Sequence, residues 1–207
     1  MPVLSKPAIH GLFGCEALNR LLMCPDARRV LDIGSGAGHH AEVMRCSGRH
    51  VTTISMLPPA DVIGDYLDFE AGEPVDAIWA SHVLEHQPNV GAFLAKCFAD
   101  LREDGLLAVT VPPLKHALVG GHVALFNQAT LIYNLILAGF DCSQARVSPT
   151  YANAPDQPPY NISVIVRKKQ AVLPPLDCDA GDIERLTKFF PVPVRQNCDG
   201  RDCIANW

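Results

Sequence analysis

The chain has 207 residues, 48% hydrophobic and 19% charged, with a formal net charge of -5. That size and balance suit one compact α/β domain with a few dozen residues over, and the lack of a Lys/Arg run argues against a polyanion-binding surface, so no nucleic acid partner is expected. No stretch approaches the roughly 20 apolar residues of a membrane span, and Met1-Pro2-Val3-Leu4-Ser5-Lys6-Pro7 lacks the basic-then-apolar order of a signal peptide. A cytoplasmic protein with no membrane partner is expected, its eight cysteines free thiols. Cys198 and Cys203 are the close pair, and no further ligand at metal spacing joins them.

Before Arg29 the pattern predicts one amphipathic helix, about Gly14 to Met23, with Leu18, Leu21 and Leu22 on one face and Pro25-Asp26 closing it. Lys6 and His10 precede it in what reads as a solvated arm, the alternative being that they fold back over a bound ligand's carboxylate. Val30-Leu31-Asp32-Ile33 is then a buried strand that stops at Gly34-Ser35-Gly36-Ala37-Gly38, and His39 to Cys46 reads as a helix. Alternate glycines permit positive φ and remove the Cβ atoms that would keep a ligand off the main chain. In an open α/β sheet such a loop lies outside the strand's carboxyl end, beside a helix N-terminus. A dinucleotide fingerprint needs its third glycine where His39 stands.

Asp32-x-Gly34-x-Gly36-x-Gly38 instead resembles motif I of the class I S-adenosylmethionine-dependent methyltransferases. The resemblance implies a Rossmann-like α/β fold: a seven-stranded, mostly parallel sheet with helices on both faces, closed by a terminal antiparallel hairpin. It implies S-adenosylmethionine as cofactor, with Asp32, Gly34, Ser35, Gly36 and Gly38 at its methionine part. Val51 to Ser55 is a second strand, at whose end both nucleoside-binding families place an acid for the ribose hydroxyls. This chain has Ser55 there, and Pro58-Pro59 removes the helix expected next. Gly64-Asp65-Tyr66-Leu67-Asp68-Phe69 resembles the family's adenine motif, in which Asp65 takes the amino group; Tyr66 and Phe69 are placed to flank the purine, or Phe69 to serve as a core ring.

Val75 to Ser81 is a fourth strand, and Ser81-His82-Val83-Leu84-Glu85-His86 resembles the V-L-E-H signature of many small-molecule methyltransferases. By that resemblance Ser81 and His82 line the sulfonium end, while Glu85 and His86 border the acceptor. Val90 to Leu101 reads as a helix, Arg102-Glu103-Asp104-Gly105 as a turn, and Leu106 to Val111 as a fifth strand. The loop from Pro112 to Asn127, carrying Lys115, His116 and His122, leaves a strand end and reads as the acceptor-side wall. Gln128 to Ala138 is a helix, Arg146 to Ser148 and Asn161 to Val166 the closing hairpin, and Tyr151, Asn153 and Tyr160 lie on its connection.

Histidine suits removal of a hydroxyl proton, and His86 and His122 are the expected catalytic residues, with no metal site. The reading is methylation, at oxygen, of a small polar metabolite. A weakly active or inactive cofactor-binding partner protein and an NAD-dependent oxidoreductase are the alternatives. Residues 1–28 read as a helical arm, 29–169 as the methyltransferase domain, and 170–207 as a packing or homodimer-contact tail.

Overall fold

A computed structural model describes residues 11–114, 118–150, 161–194 and 206–207. Its core is one sheet of seven strands in the order β3-β2-β1-β4-β5-β7-β6. The strands are β1 (Arg29–Ile33), β2 (His50–Ser55), β3 (Val62–Ile63), β4 (Val75–Ser81), β5 (Leu101–Val111), β6 (Arg146–Thr150) and β7 (Asn161–Arg167). The helices are α1 (Cys15–Leu22), α2 (His39–Cys46), α3 (Val90–Asp100), α4 (Gln128–Leu137) and α5 (Asp182–Leu186). Strands β1 to β5 are parallel, and β7 runs antiparallel to both β5 and β6. The closing hairpin expected from the sequence is therefore present, and no helix lies between β2 and β3.

The sheet is buried on both faces because each central strand alternates its apolar residues between two layers. Val30, Ala77, Trp79, Leu106 and Ala108 face α1 and α2, meeting Leu18, Leu21, Val43 and Met44. Leu31, Ile33, Ile78, Ala80, Leu107 and Val109 face the other way, onto Phe93, Leu94 and Cys97 of α3 and Leu131, Leu135 and Ile136 of α4. Ala171, Leu186, Phe189 and Phe190 are buried in this second layer, so part of the segment read as a tail completes a core face.

One expected boundary moves. Residues 102–105 were expected to form a turn before the fifth strand, yet β5 already begins at Leu101 and carries them as an irregularity, where pairing to β4 jumps from Leu101 to Leu106. Asp104 takes φ +60 there, and main-chain bonds from Asp104 N to Lys168 O (3.1 Å) and Lys168 N to Gly105 O (2.7 Å) hold the segment against the end of β7. A long-range ladder has absorbed a local turn signal.

Candidate active site

The order of the strands reverses between β1 and β4, whose carboxyl ends open a crevice where open α/β sheets bind ligands. Gly34, Gly36 and Gly38 all take positive φ, at +70°, +51° and +81°. Gly34 N–H and Ser35 N–H donate to Ile54 O (2.7 and 3.2 Å), which pins the loop to β2, and Gly38 caps α2. Their reasons for being glycine differ. A Cβ on Gly34 would lie 2.2 Å from Val83 Cγ2, whereas nothing stands within 4 Å of one on Gly36 or Gly38. Gly34 is required by packing, and the other two leave an open cradle.

Beside the loop is a cavity of about 270 Å³ whose walls include Gly34, Ser55, Asp65, Tyr66, Val83 and His86. Five of the expected site residues thus converge on one space. Ser55 stands at the end of β2, and its Oγ lies 3.4 Å from Leu57 N–H. Asp65 is exposed and accepts from Leu67 N–H at 2.9 Å, capping a short 3-10 turn. Tyr66 borders the cavity, but its side chain is turned into the core: the hydroxyl donates to Asp100 Oδ2 on α3 at 2.8 Å and the ring meets Phe93 edge-on.

Asp32 lies behind the loop rather than in the cavity. Burial pushes its carboxyl up to about 7, against the Arg45 charge and the Ala41 N–H of α2, which pull it down. At the β4 exit, Ser81 Oγ shares a hydrogen bond with Thr110 Oγ1 at 2.9 Å. His82 follows at φ +54, its N–H donating to Thr110 O at 2.9 Å. Four buried polar atoms at these two strand exits have no hydrogen-bond partner among the described residues: Asp32 Oδ2, Ser35 Oγ, His82 Nε2 and Glu85 Oε2. Such atoms are costly unless a ligand completes them.

His86 and His122, expected to be catalytic, meet edge to face with ring centroids 5.0 Å apart. Gly121 O lies 2.8 Å from His86 Nδ1, which places the proton on Nδ1 and leaves the Nε2 lone pair free. His122 arrives because Val123 N–H and Ala124 N–H both donate to Glu85 O (2.8 and 3.0 Å), tying the loop after β5 to the turn after β4. Ligand-capable atoms of Glu85, His86 and His122 lie within 4.8 Å of one another, a spacing a divalent ion can bridge, although the sequence had suggested no metal site. Lys6, His10, Lys115, His116, Tyr151, Asn153, Tyr160, Cys198 and Cys203 lie outside the described residues.

Sequence reasoning missed Phe13 and gave Glu85 no role beyond bordering the acceptor. Phe13 O lies 2.9 Å from His40 Nε2 and its ring packs on His82 at 4.5 Å, at the mouth of β4. The signal was Gly14, whose φ of +70 and missing Cβ, which would sit 2.6 Å from Thr110 Cγ2, let α1 start against β5.

This strand order, with a glycine cradle at the reversal and an antiparallel strand closing the sheet, is that of the class I S-adenosylmethionine-dependent methyltransferases. The model of the methyltransferase domain family matches residues 12–143, and the chain belongs to that family. It is similar to the ubiquinone biosynthesis O-methyltransferase of Nitrobacter winogradskyi, 34% identical over 109 residues that make up 44% of this chain and 41% of that protein. The protein of the same name from Xylella fastidiosa is 30% identical over 100 residues, 40% of this chain and 41% of its own. The chain thus spans about two fifths of the length of these relatives. Among solved structures, the Burkholderia thailandensis 1,6-didemethyltoxoflavin-N1-methyltransferase shares the fold at a TM-score of 0.63 and 20% identity, covering 80% of each chain. A methyltransferase from Archaeoglobus fulgidus does so at 0.57 and 18%, covering 74% of this chain and 93% of its own. The chain carries a methyltransferase domain. The oxidoreductase alternative falls with that assignment.

Proposed function

We propose that the chain methylates an oxygen of a small-molecule acceptor, with His86 as general base and His122 beside it. The observation that carries this reading is the His86 ring, which borders the same cavity as Gly34 and has its Nδ1 occupied by Gly121 O, so that Nε2 is ready to take a proton. The bound cofactor supplies a methyl group already activated by a sulfonium, so the protein has to orient the nucleophile and remove its proton. The glycine cradle and the unpartnered acceptors at the β1 and β4 exits suit the cofactor's amino-acid end; Asp65 is the carboxylate among the cavity's walls, on the adenine side of the resemblance, with Ser55 nearer the ribose. Oxygen as the acceptor atom is supported by the names of the relatives, of which the chain spans only part.

The acceptor wall is less polar than its sequence suggested. Leu118, Val123 and Leu125 are all exposed on the loop that carries His122. A hydroxylated acceptor with an apolar body fits this wall better than a sugar. No helix among the described residues is long and apolar enough to cross a membrane, and the cytoplasmic setting and a homodimer through the C-terminal segment belong to the same reading.

Calorimetry with S-adenosylmethionine, S-adenosylhomocysteine and NAD, followed by S-adenosylhomocysteine release on a panel of phenols, alcohols and sugars, tests the proposal. Nucleoside binding is expected with the first two, and turnover on hydroxylated acceptors. His86→Gln should lower turnover by about 10² to 10⁴ with cofactor affinity held. Full turnover in that variant, or methylation confined to nitrogen acceptors, would overturn the assignment.

A further inference from the structure

Glu85 takes no part in the chemistry above, yet its side chain is only 1% exposed. An isolated buried carboxylate is strongly unfavourable, so a fold retains one only where it is compensated. The compensation here is local and specific. Oε1 lies 3.3 Å from His82 Nδ1 and 3.9 Å from His86 Nε2, while Oε2 has no partner among the described residues.

His86 already has its Nδ1 proton committed to Gly121 O, so the nitrogen it turns toward Glu85 is the unprotonated one in the neutral ring. A lone pair facing a carboxylate offers no attraction. Only His82 can turn a proton toward Oε1 while both rings stay neutral, and its Nδ1, at 3.3 Å, is the nearer atom. His82 also sits in the left-handed region at φ +54, a conformation that is costly for a non-glycine residue and persists only where the surroundings impose it. The surroundings are Thr110 O on its N–H, the Phe13 ring on one face and Glu85 at Nδ1.

We propose that Glu85 is a positioning residue: its carboxylate fixes the His82 imidazole as the Nδ1–H tautomer, so that the buried Nε2 lone pair receives a proton donor, the ammonium of the cofactor's amino-acid part. A neutral imidazole has one N–H, and placing it on Nδ1 turns Nε2 into an acceptor. That acceptor is buried and unpartnered as the structure stands, as are Asp32 Oδ2, Ser35 Oγ and Glu85 Oε2 around the same strand exits. Of these, Glu85 Oε2 can only accept at neutral pH and Ser35 Oγ can accept, which matches an ammonium better than a carboxylate. Glu85 therefore acts at one remove, and its main-chain carbonyl, holding Val123 and Ala124, fixes the acceptor loop to the same turn. The ligand half of this inference rests on the cofactor reading; the tautomer half does not.

The test is ¹⁵N NMR of the histidine ring nitrogens in the full chain at about pH 8, with His82 assigned from the His82→Gln spectrum. The wild-type chain should show His82 protonated at Nδ1 and bare at Nε2. S-adenosylhomocysteine should move the Nε2 resonance by several ppm, whereas 5′-methylthioadenosine, which keeps the ribose and lacks the amino-acid part, should leave it in place. Glu85→Leu should return His82 to the Nε2–H form that a free histidine side chain prefers and weaken S-adenosylhomocysteine about tenfold by calorimetry, one hydrogen bond's worth. Glu85→Gln, whose amide oxygen still accepts from Nδ1, should keep the wild-type tautomer. A wild-type His82 already in the Nε2–H form overturns the proposal without recourse to any variant. So does an unchanged tautomer in Glu85→Leu, or an Nε2 shift that methylthioadenosine reproduces. A chain that binds neither nucleoside yet shows the Nδ1–H form supports the positioning role and overturns the cofactor reading instead.

Discussion

Replacing Gly34 and Gly36 separately by alanine should separate folding from binding within one five-residue loop. Both positions have positive φ, so each alanine carries a left-handed backbone cost of about 1 to 2 kcal/mol. At Gly36 that is the whole cost to stability, because nothing stands within 4 Å of the added Cβ. For a chain of this length each kcal/mol lowers Tm by roughly 2 to 4 °C, so Gly36→Ala should melt about 2 to 8 °C lower. At Gly34 the new Cβ lies 2.2 Å from Val83 Cγ2, and Val83 packs in the core layer under α3. Overpacking adds about 1 to 3 kcal/mol, for a total of about 2 to 5 and a Tm loss of roughly 4 to 20 °C. Affinity should follow the opposite order relative to stability. A methyl in the open cradle holds a nucleoside off two or three main-chain donors at about 1 kcal/mol each, about 30- to 150-fold in Kd. Urea and thermal melts with S-adenosylhomocysteine calorimetry on the same samples decide the matter. If Gly36→Ala bound as tightly as the wild type, or if both variants melted together, the division of the loop into a packed and an open half would be wrong.

Asp32 makes stability depend on pH in the unusual direction. Its carboxyl rises from 3.8 to about 7 through burial, so between about pH 4 and 7 the folded chain holds a proton that the unfolded chain has released, and stability falls as pH rises through that window. The full difference is about 4 kcal/mol. Asp32→Asn should match the wild type near pH 5 and exceed it at pH 8 in urea melts; a wild-type curve flat across that range would sink the claim. Asp26, held down by Arg167, and Asp61, held down by the Thr53 N–H, should lower stability again below about pH 4. Ser55→Asp restores the acid absent from the end of β2 and should tighten S-adenosylhomocysteine about tenfold in calorimetry, through a carboxylate that accepts two hydroxyl protons; weaker binding would mean the ribose lies elsewhere. Methyl transfer should be indifferent to EDTA if His86 acts as a base. Activity lost to the chelator and recovered with a divalent ion would move Glu85, His86 and His122 from proton transfer to metal binding.

What the sequence disclosed and what it hid divide by the reach of the forces involved. Val30, Leu31 and Ile33, or Ala77 to Ala80, announce buried strands because a parallel sheet covered on both faces needs unbroken apolar runs, and three glycines in five residues announce a cradle because few other structures tolerate them. Those are properties of adjacent residues. The turn at residues 102–105 was misjudged because Asp-Gly is a good turn pair locally, while the main chain at Lys168, more than sixty residues on, supplied a ladder in its place. The site divides the same way. The V-L-E-H run put Glu85 and His86 in place, but what selects a tautomer at His86 is Gly121 O, 35 residues away, and what covers His82 is Phe13, 69 positions before it. Protonation is set by the nearest partner in space. Linear spacing therefore locates the titratable groups of this crevice, and only the closure of the loops between β4, β5 and α1 decides which nitrogen of each ring is free to act.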